Sequence, residues 1–273
     1  AARTTIKSFG ADDVIIRPST IIASNHSLIN IVNRNYITLK GSPGHYFVVD
    51  GVNAPIPANS HSTAIRGEAP TGFSCGNIIA EYLEVKNTPY HAISLHPFHV
   101  LPEEHDCIIR RCWFHDNGAG AAEGWSSPYP HCVYMKGIDN IIEDCIIERQ
   151  KGGYGIHVFS QGAANGTVSR NIVRRNRIHD CAQHGILIGS GDDNLAYNNI
   201  IYDCQYGIQI SFGSGNNNQA YNNTIYSCTN QAVDINSSVS NSLVRNNIFW
   251  ANGVNGVDNN GIGTIQSNNL PVN

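Results

Sequence analysis

Signals for α-helix are what this chain has least of. Methionine occurs once and charged residues make up only 14 % of the sequence. No stretch keeps a 3.6-residue apolar period between capping residues, which argues against a helical bundle. No apolar run is long enough to cross a bilayer as a helix. Positive charge is not in excess, the formal net charge being −4, so a nucleic-acid partner is not expected. The chain has eight cysteines, yet none stand at C-x-x-C spacing, and no calcium-loop pattern is visible. The opening Ala1-Ala2-Arg3 lacks the character of a signal peptide, although a mature secreted chain begins the same way after cleavage.

What the chain has is repetition. Asn176-Arg177-Ile178-His179-Asp180-Cys181, Asn199-Ile200-Ile201-Tyr202-Asp203-Cys204, Asn223-Thr224-Ile225-Tyr226-Ser227-Cys228 and Asn247-Ile248-Phe249-Trp250-Ala251-Asn252 follow one another at steps of 23 to 24 residues. Each of the first three is followed by a second short strand: His184-Gly185-Ile186-Leu187-Ile188, Tyr206-Gly207-Ile208-Gln209-Ile210 and Gln231-Ala232-Val233-Asp234-Ile235. A third strand, as in Asn140-Ile141-Ile142 and Ser242-Leu243-Val244, completes each coil. Alternate apolar residues point inward with period two. A period of this size, built of short strands and Asn/Gly turns, marks a stacked solenoid. The expected fold is all-β: one domain over residues 1–273, a right-handed parallel β-helix of about nine or ten coils, roughly 45 Å long. Residues 1–20 and 262–273 are expected to cap its ends. Cys181, Cys204 and Cys228 share one repeat position, Cys112 and Cys145 another. They stack as a ladder of buried thiols; a disulfide among them, or between Cys75 and Cys107, is the alternative.

Coil length is not uniform. The steps from Cys112 to Cys145 and from Cys145 to Asn176 are each more than 30 residues. The excess falls at Asn117 to Pro130, which contains Trp125, and after Phe159. Insertions in a solenoid become loops on one face, often the binding face. Stacking the second strands gives a leading position of His91, His131, Tyr154, His184, Tyr206 and Gln231. The central outward position reads Ser94, Tyr134, His157, Leu187, Gln209, Asp234. The next reads His96, Lys136, Phe159, Gly189, Ser211, Asn236. Tyr134, Lys136, His157 and His184 are therefore the candidate catalytic residues. His96, His131, Tyr154, Tyr206, Gln209 and Trp125 are the candidate substrate-binding residues. Stacking of rings on their counterparts explains Tyr154, His184 and Tyr206 equally well. His179 and Tyr202 fall on another face and read as surface fillers.

The run from His131 through Tyr154-Gly155-Ile156 to His184-Gly185-Ile186, followed by Ala196-Tyr197-Asn198-Asn199-Ile200, resembles the β-helical polysaccharide lyases and mannuronan C-5 epimerases. The resemblance covers about 100 residues and implies a groove along one sheet that holds an acidic polysaccharide. His184-Gly185 matches an epimerase His-Gly element that bears a catalytic histidine. The Tyr and Asp of the epimerase Tyr-x-x-Asp element fall on His131 and Tyr134, so that element is not kept. No arginine is read on the column, a difference from the pectate-type lyases.

The residue types fit that chemistry. β-Elimination or C5 epimerisation of a uronide needs a cation for the carboxylate and a base for the C5 proton; elimination also needs an acid for the leaving oxygen. Lys136 supplies the cation, His157 or His184 the base and Tyr134 the acid, or with roles exchanged. No cofactor is implied; Ca²⁺ would assist Lys136, without a motif to support it. Two other readings stay open. A glycoside hydrolase would use carboxylates among Asp192, Asp193 and Asp234, and a non-catalytic glycan-binding or structural β-helix would use none. The expected partner is a polysaccharide, with no membrane insertion, and the expected location is secreted, extracellular or periplasmic.

Overall fold

The computed structural model describes residues 2–8, 13–17, 27–32, 34–52, 63–68, 76–95, 105–119, 130–159, 168–211 and 215–272. Their strands form three long sheets in which all neighbours are parallel and nearly all lie in unbroken register. The first runs through ten strands from Thr4–Lys7 to Ile265–Ser267, the second through ten from Val14–Ile16 to Leu270–Val272, the third through nine from Ile29–Val32 to Val254–Asn259. The chain visits the three in rotation, so each turn of the solenoid adds one strand to each sheet. The molecule is a single right-handed parallel β-helix, the hand that twisted strands impose on parallel crossovers. The segments expected as caps each contribute two strands to the ladders. Among the described residues no helix is long and apolar enough to cross a membrane.

Sharp corners make this path feasible. Each typical coil turns at single residues in the left-handed region, for example Arg175 (φ 55°), Asp180 (φ 53°), Asp193 (φ 57°), Asn198 (φ 56°) and Asp203 (φ 51°). Asp and Asn tolerate that region best among residues with a side chain. The residue after each corner turns inward and must satisfy main-chain groups that the corner removes from the sheet. Asparagine does this reciprocally. Asn199 Oδ1 accepts from the main-chain N–H and the side-chain amide of Asn176 at 3.1 and 3.0 Å. Its own Nδ2 donates to the Val173 carbonyl at 3.0 Å. The pattern continues through Asn223, Asn247 and Asn269. A second ladder of the same kind links Asn140, Asn171, Asn194 and Asn218. Cysteine occupies the same corner positions elsewhere. Cys112 and Cys145 precede Asn176 in its column, and Cys181, Cys204 and Cys228 precede Asn252. All seven described cysteines are buried free thiols; Cys75 lies outside the described residues.

The core is a filled column. Ile147, Ile178, Ile201 and Ile225 stack in the second sheet, each without exposed surface. Most strands of the third sheet add two inward apolar residues, such as Ile186 and Ile188. The glycine of the Tyr-Gly-Ile and His-Gly-Ile spellings has its reason here. A Cβ on Gly185 would lie 2.4 Å from Ile201 Cγ2 and 2.9 Å from the Gly207 carbonyl oxygen. Gly155 and Gly207 are equally closed in by Ile178 and Ile225. The glycine of the His-Gly element is thus a packing requirement repeated in three coils.

The ladder predicts a position-dependent cost. Asn199→Ala strands the buried main-chain N–H and side-chain amide of Asn176 in the coil before it, removes one donor from the Asn223 oxygen in the coil after it, and should destabilise the protein by roughly 3 kcal/mol. Asn269→Ala, in the last described coil and half-exposed, should cost about 1 kcal/mol. Urea unfolding midpoints of the two variants check this; equal losses would contradict it.

Candidate functional site on the third sheet

Strand register decides which side chains share a surface. Ser94 pairs with Tyr134, Tyr134 with His157, His157 with Leu187, Leu187 with Gln209 and Gln209 with Asp234. The outward column is therefore the one read from the repeat. It also extends further at both ends. Arg66 pairs with Ser94, two coils before Tyr134, so an arginine does stand on the column and the expectation of none is overturned. Asp258 pairs with Asp234 at the other end. Asp258 follows Asp234 by one 24-residue step, a signal present in the sequence. Leu187 is fully buried and divides the column into a basic and aromatic part and a later part carrying Gln209, Asp234 and Asp258. His96 and Trp125 lie outside the described residues, as do most residues of both insertions.

Around His157 the side chains meet closely. His157 Nδ1 lies 3.0 Å from His131 Nε2. The main-chain N–H of Tyr154 donates to His131 Nδ1 at 3.3 Å, and that of His131 to His91 Nδ1 at 3.0 Å. The His157 ring is stacked between Tyr134 (centroids 5.0 Å, planes 9° apart) and Phe159 (5.0 Å, 6°). His131 stacks on Tyr154 at 4.7 Å. His184 stacks on Tyr206 at 4.5 Å and meets Tyr154 edge-on at 4.6 Å. The structure thus joins Tyr134, His157, His131, Tyr154, His184 and Tyr206 in one continuous ring cluster.

The electrostatics divide the roles. Burial, with the nearby Tyr90 adding to it, pushes the Tyr134 phenol well above its ordinary range, so it is a hydroxyl donor at neutral pH. Lys136 follows Tyr134 on the same face by the period-two rule. It is only 6 % exposed, and no carboxylate among the described residues pairs with it. A buried cation without a counter-ion is costly unless an anion joins it. Burial lowers the pKa of His184 to about 4, an effect that Gln209 partly offsets. Neither His184 nitrogen reaches hydrogen-bond geometry with a described residue, so Gln209 is near but not aligned. Gln209 donates through Nε2 to Asp234, and burial with the Asp258 charge holds the Asp234 carboxyl above its usual value. Among the described residues no three His, Cys, Asp or Glu side chains converge as a metal site.

The second sheet carries a separate polar belt. His179 lies between Asp180 (2.7 Å) and Glu148 (3.1 Å) and stacks on Tyr202 at 4.5 Å. It is mostly buried within an ion network rather than a surface filler. A crevice of about 440 Å³ lies near this belt, at the Asp203, Gln205 and Thr229 corner.

Acid should weaken the fold in two stages. The folded His184 pKa of about 4 lies below its unfolded value of 6.5, so the unfolded state binds more protons between them. Stability then falls as pH drops from 6.5 to 4, by roughly 3 kcal/mol over that window. Asp116, lowered to about 2 by the Arg149 hydrogen bond and by His115 against the opposing effect of burial, adds a further loss below pH 4. His184→Phe should flatten the first stage in urea titrations and leave the second; an unchanged first stage would assign it to another group.

No curated protein sequence matches the chain. Solved structures do. An alginate lyase from Paenibacillus sp. superposes with a TM-score of 0.54 at 13 % identity, covering 94 % of this chain and 99 % of that one. The A-module of the Azotobacter vinelandii mannuronan C-5 epimerase AlgE4 gives 0.53 at 12 % identity, covering 100 % and 90 %. The protein XylC, in complex with xylose, gives 0.52 at 16 % identity over 82 % of this chain and 36 % of that one. This chain therefore spans about a third of the length of XylC. At these identities the likeness is one of fold. The sequence pattern described as a right handed beta helix region matches residues 124–271, more than half of the chain. The chain belongs to the right-handed β-helix family.

Proposed function

We propose that the protein acts on an acidic, uronate-containing polysaccharide, by β-elimination or by epimerisation at C5, on the outward face of the third sheet. The observation that carries this reading is Lys136, a buried cation with no carboxylate partner among the described residues, on the same face as Tyr134 and His157. A uronate carboxylate would neutralise it. Binding that carboxylate acidifies the C5 proton, which a neutral imidazole, His184 or His157, accepts. In elimination the C5–H electron pair forms the C4=C5 double bond, the C4–O bond breaks, and Tyr134 gives its proton to the leaving oxygen. In epimerisation the imidazole keeps the proton it took, and Tyr134 gives its own proton to C5 from the opposite face. Arg66 adds a second cation two coils away for a neighbouring uronate. Among proteins of like fold are an alginate lyase and a mannuronan C-5 epimerase, a tailspike protein in complex with a pentasaccharide and a periplasmic alginate epimerase. They support a glycan substrate and a location outside the cytoplasm.

One observation favours a second reading. Asp234 and Asp258 are adjacent in the column, and Asp234 is held above its usual pKa. Two carboxyl groups side by side, one of them with a raised pKa, are the arrangement of a glycoside hydrolase.

A panel of acidic and neutral polysaccharides separates these readings when ultraviolet absorbance and reducing ends are followed together. Elimination yields an absorbing unsaturated uronide, epimerisation alters C5 stereochemistry in an uncut polymer, and hydrolysis yields reducing ends without absorbance. Lys136→Met and His184→Gln should each lower kcat/KM on a uronate polymer by about 100-fold or more. Full activity in both variants, reducing ends alone, or binding without any product would reject the uronate reading.

A further inference from the structure

An imidazole becomes directional once one of its nitrogens is committed. The main-chain N–H of Tyr154 donates to His131 Nδ1. A peptide N–H has no second protonation state, so His131 Nδ1 must keep its lone pair and the neutral ring carries its proton on Nε2. That nitrogen lies 3.0 Å from His157 Nδ1 and donates to it. His157 in turn keeps its lone pair on Nδ1 and its proton on Nε2. One coil earlier the same device recurs, His131 N–H donating to His91 Nδ1 at 3.0 Å. The flanking rings of Tyr134 and Phe159, nearly parallel to His157, resist a flip that would exchange the two nitrogens. On the other side Nε2 faces Gly189, where an added Cβ would lie 3.1 Å away.

We infer that His131 is a positioning residue that fixes His157 as a neutral Nε2–H donor. His157 then donates a hydrogen bond to the substrate carboxylate as negative charge builds on it, and His184 removes the C5 proton. The assignment of these two roles rests on the uronate reading; the fixed tautomer does not. Protonating His157 on Nδ1 would set two N–H groups against each other across 3.0 Å. Among the described residues, the groups packed around it, Tyr134, His131, Tyr154, Phe159 and Gly189, include no carboxylate. A neutral imidazole used as a donor to a developing oxyanion needs no reorganisation during the reaction.

Histidine-selective ¹⁵N labelling of the whole chain tests the tautomer without substrate. Long-range ¹H–¹⁵N correlation at pH 7 should show His131 and His157 both as Nε2–H forms. His131→Phe should release His157 into a mixture of tautomers. His131→Gln should hold it, because one amide can accept from the Tyr154 N–H and donate to His157. On a uronate polymer, His131→Phe should lower kcat about 100-fold with KM changed less than about threefold, and His131→Gln should recover most of the loss. His157 found as the Nδ1–H form or as an imidazolium at pH 7 overturns the lock. Wild-type kcat in His131→Phe overturns the role. A wild type inactive on every uronate polymer rejects the uronate reading and with it the role, while the spectra still decide the lock.

Discussion

The whole architecture depends on one constraint: a chain that turns through three sheets in about two dozen residues must do so at single left-handed corners. Such corners pull main-chain donors out of the sheet and into the interior. Leaving a buried N–H unmet costs more than most side-chain contacts gain. The asparagine ladders meet these donors one coil at a time, as Asn199 does for Asn176. Where cysteine replaces asparagine, at 181, 204 and 228, it fills the same inward space as a small apolar group. The apolar column packs well because the corners hold each coil over its neighbour.

This scaffold sets what the site can be. Strands in register place equivalent side chains about 4.8 Å apart along the axis, near ring-stacking distance, so rings accumulate whether or not they have a further use. Tyr202 on Tyr226, at 4.7 Å, is stacking and little else. The cluster on the third sheet departs from this in having polar atoms that point at one another and a buried ammonium beside them. His91 and His131 are held by peptide N–H groups of the scaffold, so the same main-chain order that builds the solenoid also orients these imidazoles and, through His131, that of His157.

The sequence was a good guide wherever chain spacing becomes spatial neighbourhood. Ser94, Tyr134, His157, Leu187, Gln209 and Asp234 could be aligned from the period alone, because each lies between two large apolar residues, from Ile93 and Leu95 to Val233 and Ile235. Arg66 escaped because its strand, Ile65–Glu68, lacks that spelling, with Gly67 at an inward position, and stands beside an irregular Pro- and Gly-containing stretch. Asp258 escaped because the last third-sheet strand slips by one residue against its neighbour between Gln231 and Val233, which hides a step that is otherwise regular. The contact between His131 and His157 has no signature in spacing, since it joins the leading position of one coil to the central position of the next through side-chain rotation. Nor does sequence reveal that Lys136 is buried with no carboxylate partner among the described residues, because that depends on which carboxylates the register carries to other faces. Glu81, Glu143 and Glu148 all pair with cations on the first and second sheets.

The asparagine ladder also has a sense of direction. In every link the earlier coil offers the N–H and the later coil brings the oxygen, from Cys107 and Asn140 through to Asn247 and Asn269. A coil is therefore incomplete until its successor arrives, and each arrival closes the one before it. Growth of the stack from the N-terminal side leaves a single open rung at the advancing front, whereas growth from the other side would begin with acceptors that have nothing to receive. For a chain that leaves a ribosome or a membrane pore N-terminus first, the order of synthesis and the order of closure coincide.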